Sequence, residues 1–352
     1  MGGSVGGSSQ AELPVAVLGA GSWGTTIAAL LAAESKPCLL WCRSENVANE
    51  IRELRENPAY LPGIRLPKAL RVTTDIEEAV EFASVVLCAI PSAYMRDVVS
   101  CAASCFRSNH VVVSLAKGLE PETHKRMTEV LREVLPQIPP GRIGTLAGPN
   151  IAPELALGLP AAAVAAFEDE EAAVTVQSAV TTKIFRIYTN DDVTGAELGG
   201  VVKNVIAIAA GAILGLGLGE NTKAWLLTRG VAEMARLGVA LGARPMTFAG
   251  LTGMGDLIAT CSSPRSRNRQ VGERLARGET LEQITNSMRM VAEGIKTSKA
   301  VLEVARELNV EVPITEQVVA VLYENKPLPE AVRALVGREL TSEWWGMPRG
   351  SV

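Results

Sequence analysis

Val15-Ala16-Val17-Leu18-Gly19-Ala20-Gly21-Ser22-Trp23-Gly24-Thr25-Thr26-Ile27 runs from a short β-rich apolar stretch, through a G-x-G-x-x-G turn, into a helical pattern. Gly19 permits the tight turn and Gly21 lets backbone N–H groups reach a pyrophosphate. Gly24 lets the helix lie close to the sheet, so that the positive end of the helix faces the anion. The bare motif is weak by itself. Joining a strand to a helix at the head of an alternating array is the context that a dinucleotide site requires.

Outward from this stretch, apolar runs recur at 38–42, 85–89, 111–115, 143–147, 161–166 and 184–188. Helical periodicity lies between them at 25–33 and 123–135, and Asp75-x-x-Glu78 has the form of a capping box. Such alternation predicts βαβ units around a mostly parallel sheet. After Asp192 the strand signal stops, and residues 197–218, 223–241, 269–277, 295–308 and 315–323 all read as helices, with Gly242, Gly278 and Asn309 as stops. The expected fold is therefore α/β: an N-terminal Rossmann-like domain at 13–190 and an all-α domain at 191–338. A Gly/Ser-rich linker or vector remnant at 1–12 and a tail at 339–352 flank them.

The 352 residues are 47% hydrophobic and 20% charged with a formal charge of -4, an ordinary globular mixture that leaves no global attraction to nucleic acid or anionic membranes. The longest apolar run, 205–218, is 14 residues. Spanning a bilayer takes about 20, so it reads as a buried helix and no membrane span is expected. Six cysteines include no C-x-x-C pair, and the two histidines, His110 and His124, have no second histidine at helical spacing. Zinc, disulfides and a Ser-His-Asp triad have little to stand on, no metal is expected, and lysine or a carboxylate must move any proton. Free cysteines and the lack of an export signal point to a reducing, cytoplasmic setting.

At the cofactor end, the second strand closes in Arg43-Ser44 instead of the acid that would bind a ribose 2′-hydroxyl. Arg43 could pair with a 2′-phosphate, stack over adenine, or stay solvated; Glu45 nearby keeps NAD(H) open beside NADP(H). Trp23 either covers the cofactor or packs beside the loop. At the catalytic end, Lys203 interrupts a helix whose same face carries Gly199, Gly200, Ala207, Ala210 and Gly211. A strip without bulk admits a substrate or another backbone, and apolar neighbours disfavour the ammonium, as suits a proton donor or acceptor. A snorkelling or structurally paired lysine is the competing reading. Lys117, just past a strand's carboxyl end, could steady a carbonyl oxygen. Ser266-Arg267-Asn268, read as a loop, suits a terminal phosphate, and Asp256 lies exposed among glycines or caps the helix that follows.

The blocks Glu197-Leu198-Gly199-Gly200-Val201-Val202-Lys203-Asn204, Gly219-Glu220-Asn221-Thr222-Lys223-Ala224, Gly253-Met254-Gly255-Asp256 and Arg265-Ser266-Arg267-Asn268-Arg269 together resemble the bacterial NAD(P)-dependent sn-glycerol-3-phosphate dehydrogenase family, over about residues 15–336. The resemblance implies interconversion of dihydroxyacetone phosphate and sn-glycerol 3-phosphate by hydride transfer between nicotinamide C4 and substrate C2. It further implies supply of glycerol 3-phosphate for phospholipid synthesis, and a homodimer. By the same resemblance Lys203 is the proton donor and acceptor, assisted by Lys117 and Asp256. Ser266, Arg267 and Asn268 border the substrate phosphate and the nicotinamide, and Gly148 and Asn150 line the substrate pocket. Ser22, Trp23, Arg43, Ala152, Val291 and Glu293 contact NADP(H) or NAD(H), beside Gly19, Gly21 and Gly24, with Lys117 and Arg267 reaching both ligands. One departure is Asn150-Ile151 after Pro149, where the family commonly has Ser or Thr then Phe. A β-hydroxyacid dehydrogenase and a cofactor-binding sensor without turnover are the rival readings.

Overall fold

The computed structural model describes residues 13–288, 292–340 and 342–343, which leaves the expected linker, Val291, Trp344 and Trp345 outside the described residues. The strands are β1 (Val15–Leu18), β2 (Cys38–Trp41), β3 (Arg71–Thr73), β4 (Val85–Cys88), β5 (Val111–Ser114), β6 (Ile143–Ala147), β7 (Ala161–Ala166) and β8 (Phe185–Asn190). Interleaved with them are helices α1 (Ser22–Ala33), α2 (Glu45–Leu54), α3 (Ile76–Phe82), α4 (Met95–Cys101), α5 (Met127–Val134), α6 (Ala152–Ala156) and α7 (Glu170–Val180). Beyond β8 come α8 (Val193–Gly215), α9 (Gly219–Ala240), α10 (Asp256–Ser262), α11 (Arg267–Ala276), α12 (Leu281–Ser287), α13 (Glu293–Glu307), α14 (Pro313–Tyr323) and α15 (Leu328–Val336).

The eight strands form one sheet in the order β3-β2-β1-β4-β5-β6-β7-β8. All neighbours are parallel except β6 and β7, so the carboxyl ends of β1, β2, β4, β5 and β6 share one edge, where β7 begins. Every residue of β1 is buried, as a central parallel strand covered on both faces requires. Val15 and Val17 pack to one side with Ile27 and Leu31 of α1, and Ala16 and Leu18 to the other with Val80 of α3 and Met95 of α4.

The helical half is organised around α8, which packs on α9, α10, α11 and α13. Its bulk-free strip admits backbone: a Cβ on Gly211 would lie 1.9 Å from Arg269 O, and one on Gly199 would lie 2.3 Å from Thr252 O. This close approach brings α11 and the turn before α10 against α8. Among the described helices α8 is long and apolar enough to cross a membrane, at 23 residues, yet 83% of its most apolar window is buried inside the protein.

Several expectations need correction. The strand β3 has no apolar run to announce it, and α8 begins at Val193 because Asp192 accepts from Gly195 N (2.9 Å) and caps it. The helix expected over 123–135 starts only at Met127, since His124 adopts φ 54° in a turn closed by a Leu119–Arg126 bridge. Asp75 caps α3 through Glu77 N and Glu78 N, but Glu78 bonds Thr73 Oγ1 instead of reaching back, so the box is half formed. Arg267 and Asn268 are not in a loop: Ser266 caps α11, and both lie in its first turn. Asp256 is the first residue of α10 and is 2% exposed, not displayed to solvent by its glycines.

Candidate active site

The turn after β1 has the shape the glycines predict. Gly19 sits at φ 115°, and a Cβ on Gly24 would lie 1.9 Å from Gly19 O, so the start of α1 is pressed against the turn. A Cβ on Gly21, by contrast, would meet nothing within 4 Å. The protein leaves the space in front of Gly21 open, no side chain caps α1, and its first turn carries no acid. That is a cradle for a diphosphate held by backbone N–H groups, and a dinucleotide fits it. Ser22 and Trp23 lie in the first helical turn, with Trp23 turned edge-on to Phe185 (5.8 Å, 86°), packing beside the loop. Ala152, at the start of α6, lies against α1, where its carbonyl oxygen accepts from Thr26 Oγ1 (3.4 Å). Arg43 is exposed just past β2, on the same edge. Glu45 is engaged elsewhere: its carboxylate accepts from Arg52 Nη1 (2.8 Å) and Thr74 Oγ1 (2.8 Å).

Farther along this edge, the loops after β5 and β6 meet the helical half. Lys203, 4% exposed, donates from Nζ to Asp256 Oδ1 (2.5 Å) and Thr260 Oγ1 (2.7 Å). Lys117 donates to the other carboxylate oxygen, Asp256 Oδ2 (2.8 Å), and to Gly148 O (2.9 Å). Two of the three N–H bonds on each ammonium are thereby used, leaving one apiece for a ligand oxygen. Burial lowers the Lys203 ammonium from its ordinary range to about 8; the Asp256 carboxylate opposes that shift and the neighbouring Lys117 charge adds to it.

An amide chain ties the two lysines' elements together. Asn204 Nδ2 donates to Lys117 O (3.1 Å), Asn268 Nδ2 donates to Asn204 Oδ1 (2.8 Å), and Gly294 N donates to Asn268 Oδ1 (3.0 Å). Glu293, first residue of α13, has its carboxyl raised by burial, with Arg267, Lys117 and Lys203 the charges that oppose the shift. The start of α13 therefore belongs to the same electrostatic neighbourhood. Lys203, Lys117, Asp256 and Gly148 come together, with Asn268, Glu293 and Arg267 around them. Asn150 does not join them, because its amide, oriented to suit its neighbours, donates to Ala162 O (3.2 Å) and Pro149 O (3.3 Å). Ser266 is occupied in capping. Thr260 and Asn204 carried no expected role; Thr260 lies one helical turn beyond Asp256, a spacing that places both on one face.

Two family models match the chain: the NAD-dependent glycerol-3-phosphate dehydrogenase N-terminus over residues 14–173 and the NAD-dependent glycerol-3-phosphate dehydrogenase C-terminus over residues 192–333. A glycerol-3-phosphate dehydrogenase (NAD(P)+) from Geobacter sp. (strain M21) is 48% identical over 329 residues, 94% of this chain and 98% of that protein. One from Corynebacterium glutamicum (strain R) is 49% identical over 330 residues, 94% of this chain and 99% of that protein. Among solved structures, the glycerol-3-phosphate dehydrogenase of Coxiella burnetii superposes with a TM-score of 0.87 at 33% identity, covering 93% of this chain and 99% of that one.

Proposed function

From the membership of this chain in the NAD-dependent glycerol-3-phosphate dehydrogenase family, we propose how its own residues carry out the NAD(P)-dependent interconversion of dihydroxyacetone phosphate and sn-glycerol 3-phosphate. The nicotinamide, when bound, supplies or accepts the hydride at substrate C2. Lys203 moves the proton: in reduction its ammonium donates to the oxygen on C2 as negative charge develops there, and in oxidation its amine takes that proton back. Lys117 lends a second N–H to the same oxygen, so the alkoxide forms facing two preset cations. Asp256 aims both ammonium groups, and Thr260 fixes the second bond of Lys203.

Arg267 and Asn268, at the first turn of α11, border the substrate phosphate, with Ser266 beside them and Gly148 and Asn150 along the pocket wall. Arg43 faces the ribose end of the nucleotide, where a guanidinium suits a 2′-phosphate or an adenine face. Ser22, Trp23, Ala152 and Glu293 complete the nucleotide contacts. The lobes in this reading are 13–190 and 191–338, the setting is a cytoplasmic homodimer, and the product feeds phospholipid synthesis.

The observation that carries the reading is the buried Lys203 amine, held by Asp256 next to Lys117 at the sheet's carboxyl edge. Its test is absorbance at 340 nm with dihydroxyacetone phosphate and each reduced cofactor in turn. Lys203→Ala should lower turnover by about 10²–10⁴-fold while NADPH binding stays near the parent value. Parental turnover in that variant would remove Lys203 from the proton transfer.

A further inference from the structure

The turn between β1 and α1 is held in place from a separate part of the chain. Asn57, which follows α2, is 0% exposed. Its Nδ2 donates to Ala20 O (2.9 Å) and to Thr25 Oγ1 (2.8 Å), and Thr25 Oγ1 donates in turn to Ala20 O (3.2 Å). Both amide hydrogens are thereby used. Ala20 O receives no backbone donor among the described residues, so these two side chains satisfy it entirely.

The orientation of the amide is fixed by its own loop. Asn57 Oδ1 accepts from Tyr60 N (3.3 Å), and Leu61 N donates to Asn57 O (2.8 Å), which closes the loop on itself. Leu61 and Leu66 anchor it in the same core as Val17 and Ile27, and Leu66 N donates to Arg55 O (2.7 Å). A turned-over amide would set its oxygen against Ala20 O and its hydrogens against the N–H of Tyr60, so only one orientation fits.

What the amide holds decides what the turn presents. In a planar trans peptide the C=O and the N–H that follows it point in opposite directions. With Ala20 O drawn inward to Asn57 and Thr25, Gly21 N–H points to the open side of the turn, and it has no acceptor among the described residues. Were that peptide to turn over, a carbonyl oxygen would face the diphosphate in place of a donor.

We propose that Asn57 is a positioning residue of the nucleotide site, which fixes the Ala20–Gly21 peptide so that its N–H meets the diphosphate. The inference rests on the reading that the diphosphate lies against Gly21, and adds to it the residue that aims the peptide.

The test is initial-rate kinetics with NADPH titration of the full chain. Asn57→Leu keeps the bulk of the side chain, brings no charge and removes the donors. Its Kd and KM for NADPH should rise about tenfold or more, while KM for dihydroxyacetone phosphate and kcat at saturating cofactor stay near the parent values. A role confined to stability would reduce the active fraction, and with it kcat, and leave the cofactor KM unmoved. Because both changes act at one N–H, Asn57→Leu combined with Gly21→Ala should weaken NADPH binding little more than Gly21→Ala does alone. Should Asn57→Leu fold poorly, Thr25→Val removes the other donor to Ala20 O and should move the same KM in the same direction. Parental NADPH affinity in the variant that folds, or losses that add fully in the double variant, overturn the proposal and leave the diphosphate site standing. If Gly21→Ala itself binds NADPH as the parent does, the diphosphate lies elsewhere and both readings fall.

Discussion

In the proposed mechanism Asp256 is the residue on which the chemistry turns, because one buried carboxylate holds two ammonium groups. Burial brings the Lys203 amine to about 8, and the carboxylate is what keeps it from falling further. With Lys203 as the proposed proton donor, reduction uses the charged form, so kcat/KM for dihydroxyacetone phosphate should decline as pH rises past that value, and oxidation of glycerol 3-phosphate should rise through the same range. Asp256→Asn removes the anion that favours the ammonium, so both limbs should move to lower pH in initial-rate profiles. Limbs that stay in place would show that the carboxylate does not tune the lysine. The residue types were legible in the sequence because a lysine inside an apolar helix and an acid between glycines are both out of place. Their pairing was not, since residues 203 and 256 meet only after the strip on α8 has drawn the following turn against it. The bonds of Asn150 were not legible for a related reason: nothing local tells that its amide donates to the carbonyl of Ala162.

At the level of single elements, the turn joining β1 to α1 separates two tasks that the glycine motif combines. Gly24→Ala would drive a methyl into Gly19 O, and the protein should lose stability by several kcal/mol or fail to fold. Gly21→Ala meets no protein atom, so its thermal midpoint should stay near the parent value while NAD(P)H affinity drops by an order of magnitude or more. Thermal melting beside cofactor titration checks both. Equal affinity in Gly21→Ala and parent would mean that the diphosphate does not approach that backbone. The motif's helix and strand could be read from sequence, whereas the reversal of β7 could not. An Ala-rich strand gives no sign of its direction. The link from β6 to β7 contains only the five-residue α6, about 7 Å of helix, too little to carry the chain back along the sheet for a parallel return. The reversal also delivers Ala162 O to the site edge, where Asn150 finds it.

For the molecule as a whole, the question is what fastens the sheet half to the helical half around the shared site. Besides Lys117 and Asp256, Glu197 of α8 is a clasp: it accepts from Thr128 N (2.9 Å), Thr128 Oγ1 (2.5 Å) and Arg126 Nη1 (3.0 Å). Those partners open α5, at the end of the segment that carries Lys117. Glu197→Ala leaves two buried Thr128 donors unmet and reduces Arg126 to its one remaining carboxylate, Glu129 (3.2 Å), a loss of about 3 kcal/mol. Calorimetry should show a lowered and broadened transition in the variant. A midpoint unchanged from the parent would mean the two halves are joined elsewhere. Sequence spacing gave Glu197 no role of its own, because its partners lie about seventy positions upstream in a segment that read as uniform helix.

The central position of α8 also has a consequence for synthesis. Every helix that covers it follows it in the chain, and α11, whose backbone meets Gly211, is complete only at residue 276. At about 5–20 residues per second a ribosome takes some 3–12 s to travel that far beyond residue 215. Throughout that interval the nascent polypeptide's greasiest segment has only β6, β7 and, later, α9 to lean on, so chains stopped between these points should be the ones that clump or recruit a holdase.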